Sequence, residues 1–318
     1  MGIEEKIMNK SISVIIPFLN EAENIPVLVS TLNTFFKNSE YQSEVIFVND
    51  GSTDSSLKLL KESAHNSYHC KIISLSKNFG SHSALRAGIL HASCDYITFM
   101  YADLQDPLDL VNKLKAECDS GNDIAWASRS STEGSFFERA FSKIYCRLMK
   151  KYAISIYPQK GFDVVMFNKK VQTMINNNIE GNSSLFLQIL MLGFKQSSIE
   201  YQKQSRKLGV SKWTLRKKIK LVIDSFVAFS YAPIRFVTIS GIFLFFAGLI
   251  WTAYIIFRKL MYNDLDQGWP ALVSILTIGF GITNISLGII AEYLWRTLDS
   301  SRKRPVFVID EIIELNKL

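Results

Sequence analysis

Through the first two thirds of the chain, apolar and polar positions alternate in a strand–helix rhythm. Residues 12–18 form a short apolar run that predicts a strand ending near Pro17, and residues 24–36 carry apolar positions at helical spacing. A second strand, 44–48, runs into Asn49-Asp50-Gly51-Ser52-Thr53-Asp54, from which Asp54 caps a helix reaching about Ser63. A third strand is expected at 71–75, a helix at 80–91 and a fourth strand at 96–100. Pro107 then opens a helix whose periodic part is 109–120, because proline suits the first helical position. A fifth strand follows at 123–127. Next come an amphipathic helix at 138–151, an irregular strand at 162–167, a buried helix at 185–192 and a polar, basic loop at 200–212. This alternation predicts an α/β fold, a mostly parallel sheet with helices on both faces.

Beyond residue 212 the pattern changes. Residues 213–229 set Arg216, Lys217, Lys218 and Lys220 beside Leu215, Ile219, Val222, Ile223 and Phe226, the composition of a helix lying in a membrane interface. Residues 234–257 and 271–294 are almost wholly apolar and long enough for a bilayer core, which needs about 20 residues. The segment between them is short, so a helical hairpin is expected. Lys and Arg are dense before the first span and after the second, and the loop carries only Arg258 and Lys259, which places both chain ends in the cytoplasm. Gly279, Gly281, Gly288 and the mid-span Asn284 suit close helix packing or oligomer contact. The expected organisation is a catalytic domain over 1–212, an amphipathic interface helix over 213–233, a two-helix transmembrane hairpin over 234–295 and a cytoplasmic tail over 296–318.

Composition sharpens this picture. Mean hydropathy over the 318 residues is only +0.12, so the excess apolarity is local and lies after residue 230. The net charge of +7 favours phosphate-bearing or anionic-lipid partners. The basic residues cluster beside the apolar segments, with no interleaving of aromatic and basic residues, which argues against nucleic acid. Cys70, Cys94, Cys118 and Cys146 form no C-x-x-C pair and read as inert thiols of a reducing compartment. Residues 1–10 are polar and lack the apolar core of a signal peptide, so the catalytic part is expected to stay in the cytoplasm.

The densest chemistry lies at Tyr101-Ala102-Asp103-Leu104-Gln105-Asp106-Pro107. Asp103 and Gln105 follow a buried strand, where open α/β sheets place their ligand crevice. Two such oxygen ligands suit Mg²⁺ or Mn²⁺ and the phosphates it bridges. Glu21 and Asp50 follow other strands, where carboxylates accept hydrogen bonds from a base N–H or a ribose hydroxyl. The four histidines are not arranged as metal ligands.

Several motifs together resemble the family-2 glycosyltransferases of the polyisoprenyl-phosphate type, the group of dolichyl-phosphate mannose synthase and the bactoprenol glucosyltransferases. They are Val14-Ile15-Ile16-Pro17-Phe18-Leu19-Asn20-Glu21, Val48-Asn49-Asp50-Gly51-Ser52-Thr53-Asp54, Asn78-Phe79-Gly80 and Arg86-Ala87-Gly88. Ala102 to Pro107, Gly209-Val210-Ser211-Lys212-Trp213, Glu292-Tyr293-Leu294-Trp295-Arg296 and Arg304-Pro305-Val306-Phe307-Val308 complete the match, in order over nearly the whole chain. The resemblance implies a GT-A-like domain in which Pro17, Leu19, Glu21, Asp50 and Asp103 hold the nucleotide. It implies Asp103 and Gln105 as ligands of Mg²⁺ or Mn²⁺, and Arg129, Arg139, Ser142, Arg206, Ser211 and Lys212 around the acceptor phosphate. Asp163 aligns with a family acid near the acceptor. A phosphate monoester is already largely a dianion at neutral pH, its second pKa being about 6, so positioning suits Asp163 better than general-base work. Tyr101 departs from the pattern, since most members carry an acid there.

The activity so implied is inverting transfer of a hexose from a nucleotide sugar to undecaprenyl phosphate at the cytoplasmic membrane face, by a homo-oligomer. UDP-glucose is the first choice of donor, with UDP-galactose, UDP-N-acetylglucosamine and GDP-mannose as alternatives. A non-catalytic nucleotide-binding scaffold is the rival from another class, and Tyr101 is its best argument. A processive synthase would need a Gln-x-x-Arg-Trp motif, which the chain lacks.

Overall fold

The structure is a computed structural model that describes residues 10–130, 136–158, 161–180, 183–203, 230, 232–262, 268–302 and 304–315. In chain order the first half runs β1 (Ile12–Phe18), α1 (Ile25–Lys37), β2 (Ser43–Asn49), α2 (Ser56–Glu62), β3 (His69–Leu75), α3 (Ser81–His91), β4 (Tyr96–Phe99) and α4 (Asp109–Asp119). It continues with β5 (Ile124–Arg129), α5 (Phe136–Tyr152), β6 (Val164–Asn168), α6 (Lys169–Asn177), α7 (Leu185–Met191) and β7 (Gln196–Tyr201). Two long helices follow, α8 (Ala232–Tyr262) and α9 (Trp269–Ser301), then β8 (Ile309–Leu315).

The strands form one sheet in the order β7-β5-β6-β4-β1-β2-β3-β8. The pairs β1–β2, β1–β4, β2–β3 and β5–β7 are parallel, whereas β6 runs antiparallel to β4 and β5, and β8 to β3. The central strands are buried along their length because both faces are covered, which is why they read as mostly apolar runs. On one face Val14, Ile16 and Phe47 pack with Leu28, Leu32 and Phe36 of α1 and Leu114 of α4. On the other, Ile15, Ile46 and Phe99 pack with Leu85 and Ile89 of α3, Met149 of α5, Val171 of α6 and Leu187 of α7. Each such side chain contributes about 1.5–3 kcal/mol when fully buried. Gly88 lets α3 press against β1, since a Cβ there would collide with the Ile15 side chain.

Four elements depart from the sequence reading. The polar stretch from residue 200 begins as the end of β7, an edge strand of alternating exposure paired with β5. The helix α6 is short and polar, and starts because the Asn168 side chain accepts from the N–H groups of Lys170 and Val171. Within the expected tail, β8 pairs with β3, its Glu311 meeting Lys61 at 2.9 Å. Residues 162–167, expected as an irregular strand, overlap β6, which is regular and runs on to Asn168.

The two apolar segments are helical and touch each other as α8 and α9. Among the described residues, one stretch of 22 residues is long and apolar enough to cross a membrane, Ile278–Asp299 in α9, with mean hydropathy 1.3 in its most apolar 18-residue window. The apolar part of α8, Arg235–Gly248, is shorter. Ser230 ties this region to the domain: its Oγ donates to Tyr152 O at the end of α5 (2.6 Å), and its carbonyl accepts from Tyr293 Oη of α9 (3.0 Å). The expected interface helix lies outside the described residues, apart from Ser230 and a few that follow.

Candidate active site

Chain order and strand order together locate the site. From β1 the chain moves outward to β2 and β3, then crosses back to place β4 on the other side of β1. Ligands of open α/β sheets bind outside the carboxyl ends of the strands at such a switch point. The ends of β1, β2, β4, β5 and β7 share this edge, and the antiparallel β6 begins there.

On the β1–β2 side, the loops after the two strands are laced together. Asn20 N donates to Ser52 Oγ (3.0 Å), Thr53 N to Asn20 Oδ1 (2.8 Å) and Glu21 N to Ser56 Oγ (2.8 Å). Asn20 holds a left-handed backbone, φ 51°, which asparagine tolerates better than most residues. The Glu21 carboxylate accepts from Asn24 Nδ2 at 2.7 Å. Asp50 is 4% exposed, and its carboxylate accepts from Phe79 N (2.7 Å) and Gly80 N (3.0 Å), fixing the loop after β3. Burial pushes its pKa up against the pull of those two N–H groups. Gly51, at φ +72°, passes so close to this loop that a Cβ would lie 2.6 Å from Asn78 N. Pro17 and Phe18 end β1, and Leu19 leads into the laced loop.

On the β4–β7 side, acids and bases converge. Asp103 is half-buried, and its Oδ1 accepts from Gln105 N at 3.3 Å across Leu104, itself at φ 52°. Asp163, just before β6, clamps Arg129 at the end of β5 through two bonds of 2.6 Å, Nε to Oδ2 and Nη2 to Oδ1. Burial alone would lower the Arg129 pKa, but Asp163 outweighs it and raises the value. Buried Asp106 accepts from Tyr201 Oη at 2.6 Å and lies 3.5 Å from Lys203 Nζ. Burial raises its pKa, and its Oδ2 is enclosed without a hydrogen-bond partner. Tyr101 stands among them: burial first, then the fields of Asp106, Asp163 and Asp103, hold its phenol protonated. Among the described residues, no group of three or more His, Cys, Asp or Glu is arranged as a metal cage.

The fold thus joins Arg129 and Asp163, expected separately, into one unit. Arg139 and Ser142 lie on α5, whose backbone is described there, while Arg206, Ser211 and Lys212 lie outside the described residues. Asp106, Tyr201 and Lys203 were not singled out from the sequence. Asp106 stood inside a quoted motif, but its partner is 95 residues away. The cysteines are free, three of the four being buried.

Comparison with known proteins agrees with this architecture. Residues 13–200 match the family model "Glycosyl transferase family 2". The bactoprenol glucosyl transferase of Shigella phage SfV is 31% identical over 303 residues, 94% of this chain and 97% of that protein. A prophage bactoprenol glucosyl transferase homolog of Escherichia coli (strain K12) is 30% identical over 95% of this chain and 99% of its own length. An uncharacterised glycosyltransferase of Synechocystis is 30% identical over 98% of each chain. Polar strand ends gathered at the switch point, a family model over residues 13–200 and relatives matched almost end to end lead to one assignment: the chain belongs to glycosyl transferase family 2 and is a glycosyltransferase.

Proposed function

We propose that the protein transfers one hexose from a nucleotide sugar to a polyprenyl phosphate, with UDP-glucose as donor and undecaprenyl phosphate as acceptor. The observation that carries this reading is the Arg129–Asp163 clamp on the same edge of the sheet as Asp103 and Gln105, which brings a guanidinium to the strand ends. It is supported by near full-length relatives named for transfer to bactoprenol. In the reaction, an oxygen of the lipid phosphate attacks the anomeric carbon. The bond from that carbon to the diphosphate breaks, the nucleoside diphosphate leaves, and the configuration inverts. The acceptor phosphate is already largely dianionic at neutral pH, so no protein base has to deprotonate it.

Glu21 and Asp50, with Pro17 and Leu19, line the nucleotide side. Asp103 and Gln105 are the ligands for Mg²⁺ or Mn²⁺. An oxygen-only pair suits such hard cations, which would need further oxygen ligands from outside the protein. The metal, when bound, neutralises charge on the departing diphosphate. Arg129, oriented by Asp163, meets the acceptor phosphate together with Arg139, Ser142, Arg206, Ser211 and Lys212, a task suited to the planar arginine fork. The hairpin of α8 and α9 spans the cytoplasmic membrane with both ends inside, residues 213–233 lie at the headgroups, and the protein works as a homo-oligomer.

The test is a radiolabel assay on the full chain in detergent, with undecaprenyl phosphate, Mg²⁺ or Mn²⁺ and a panel of UDP- and GDP-sugars. Lipid-soluble label from one donor, abolished by EDTA and by Asp103→Asn, is the expected result. Nucleotide binding without transfer from any donor would overturn it.

A further inference from the structure

Arg86 lies on the second turn of α3, only 2% exposed. Its guanidinium carries five N–H donors in a fixed fork. Nη2 donates to Gln188 Oε1 on α7, but Nη1 is enclosed with no hydrogen-bond partner. Three further enclosed polar atoms without partners belong to the same two helices and the turn between α6 and α7: His82 Nδ1, Gln188 Nε2 and Ser183 Oγ. His82 is one turn before Arg86, and Ser183 lies just before α7. Burial, then the charge of Arg86, pushes the His82 pKa down to about 4, so the ring is neutral. Burial likewise lowers the Arg86 pKa to about 10 against the field of Glu180. Buried donors without partners are costly, and folded proteins rarely leave even one. Several on facing helices form an unsatisfied polar cluster, closed to solvent in this structure, whose open hydrogen-bonding capacity a polar molecule would fill.

The surroundings tie this place to the active site. Gly80, which opens α3, donates to Asp50. The Phe186 ring of α7 meets His82 (5.8 Å between ring centres), Phe99 (5.2 Å) and Phe162 (5.6 Å, stacked). Phe99 ends β4 two residues before Tyr101, and Phe162 precedes Asp163. The cluster is therefore flanked by the nucleotide-side carboxylate, the strand that leads to Asp103 and the acceptor clamp.

A guanidinium and a carboxamide are both planar forks, and with a hydroxyl, a neutral imidazole and an aromatic wall they match neighbouring hydroxyls on a pyranose ring. A diphosphate would call for more positive charge than one arginine. We propose that Arg86, Gln188 and His82, with Ser183, read the hydroxyls of the donor hexose and so set which nucleotide sugar is accepted. This rests on the glycosyl-transfer reading and deepens it. A cluster of this kind also suits ordered water, which needs two to four polar partners, so the test separates the two.

Gln188→Glu preserves size and the oxygen that holds Arg86, but replaces the Nε2 donor with an acceptor. Full-length protein in detergent with Mn²⁺ is titrated calorimetrically with UDP, UDP-glucose, UDP-galactose, UDP-N-acetylglucosamine, GDP and GDP-mannose. The affinity gained from the sugar, taken as the Kd of the free nucleotide over that of its best sugar derivative, is expected to fall about tenfold or pass to another sugar. The Kd of the free nucleotide stays unchanged. Ser183→Ala, a milder change, gives the same sign at about threefold and decides the matter where Gln188→Glu does not fold. An unchanged ratio and ranking in a folded variant would mean a structural water site only, and would overturn this inference alone. If the unaltered protein binds no nucleotide sugar, the glycosyl-transfer reading falls and this inference with it.

Discussion

Removing the carboxylate charge of the acceptor clamp by Asp163→Asn separates stability from catalysis. Arg129 and Asp163 share two bonds of 2.6 Å. Two unit charges about 4 Å apart attract by roughly 4 kcal/mol at an effective dielectric near 20. The Arg129 side chain is 37% exposed, however, so solvent screening reduces the net contribution to about 1 kcal/mol. Thermal unfolding should then fall by only about 2–4 °C. Activity responds more strongly, because a guanidinium without its clamp no longer holds the acceptor phosphate in one orientation. A loss of about 100-fold in kcat/KM for the lipid phosphate is expected, with the donor KM unchanged. The decisive assay is a double-mutant cycle with Arg129→Gln. If the two residues act as a unit, the double variant lies within about threefold of the worse single one. Rate losses that simply multiply would refute the coupling, as would an unfolding temperature more than about 10 °C lower with transfer intact.

Two further predictions concern the scaffold. Glu44 is 2% exposed and accepts from Ser13 Oγ (2.5 Å), Ser93 N (3.0 Å) and Lys71 Nζ (3.1 Å); burial acts to raise its pKa, but these partners outweigh it and lower the value. A depressed carboxylate stabilises above its unfolded pKa and loses that contribution as pH falls through the folded one. Glu44→Gln should thus cost about 1–3 kcal/mol at pH 7, and the gap in unfolding temperature should close below about pH 4.5. Gly88→Ala drives a methyl group into Ile15 Cγ2 and should cost about 1–3 kcal/mol, read as a lower midpoint in chemical unfolding.

How much of this could be read from the sequence depended on how each element is held. The strands β1 to β5 were legible because burial on both faces favours mostly apolar runs such as Ile12–Phe18. The edge strand β7 hides its pairing in alternation, with Glu200 exposed and Tyr201 buried, and β8 is an acidic edge strand that only its partner β3 makes extended. Site residues at strand ends, such as Asp103, were visible as local motifs. The joining of Arg129 to Asp163 was not, because it follows from the antiparallel register of β5 and β6. The Asp106–Tyr201 bond likewise needs α4 and β7 to meet at one edge.

The final strand gives the chain an assembly order. Lys61 and Glu311, bonded across the β3 side of the sheet, are 250 residues apart, with both long helices made between them. As the protein emerges from the ribosome, β3 waits with an open edge until β8 has been synthesised. A nascent chain stalled or cut anywhere in α8 or α9 would carry that bare edge, a template for pairing with other chains. Closure of the sheet by β8 therefore reports on the two long helices: only a molecule in which both have been made can hide the edge that would otherwise mark it for aggregation or proteolysis.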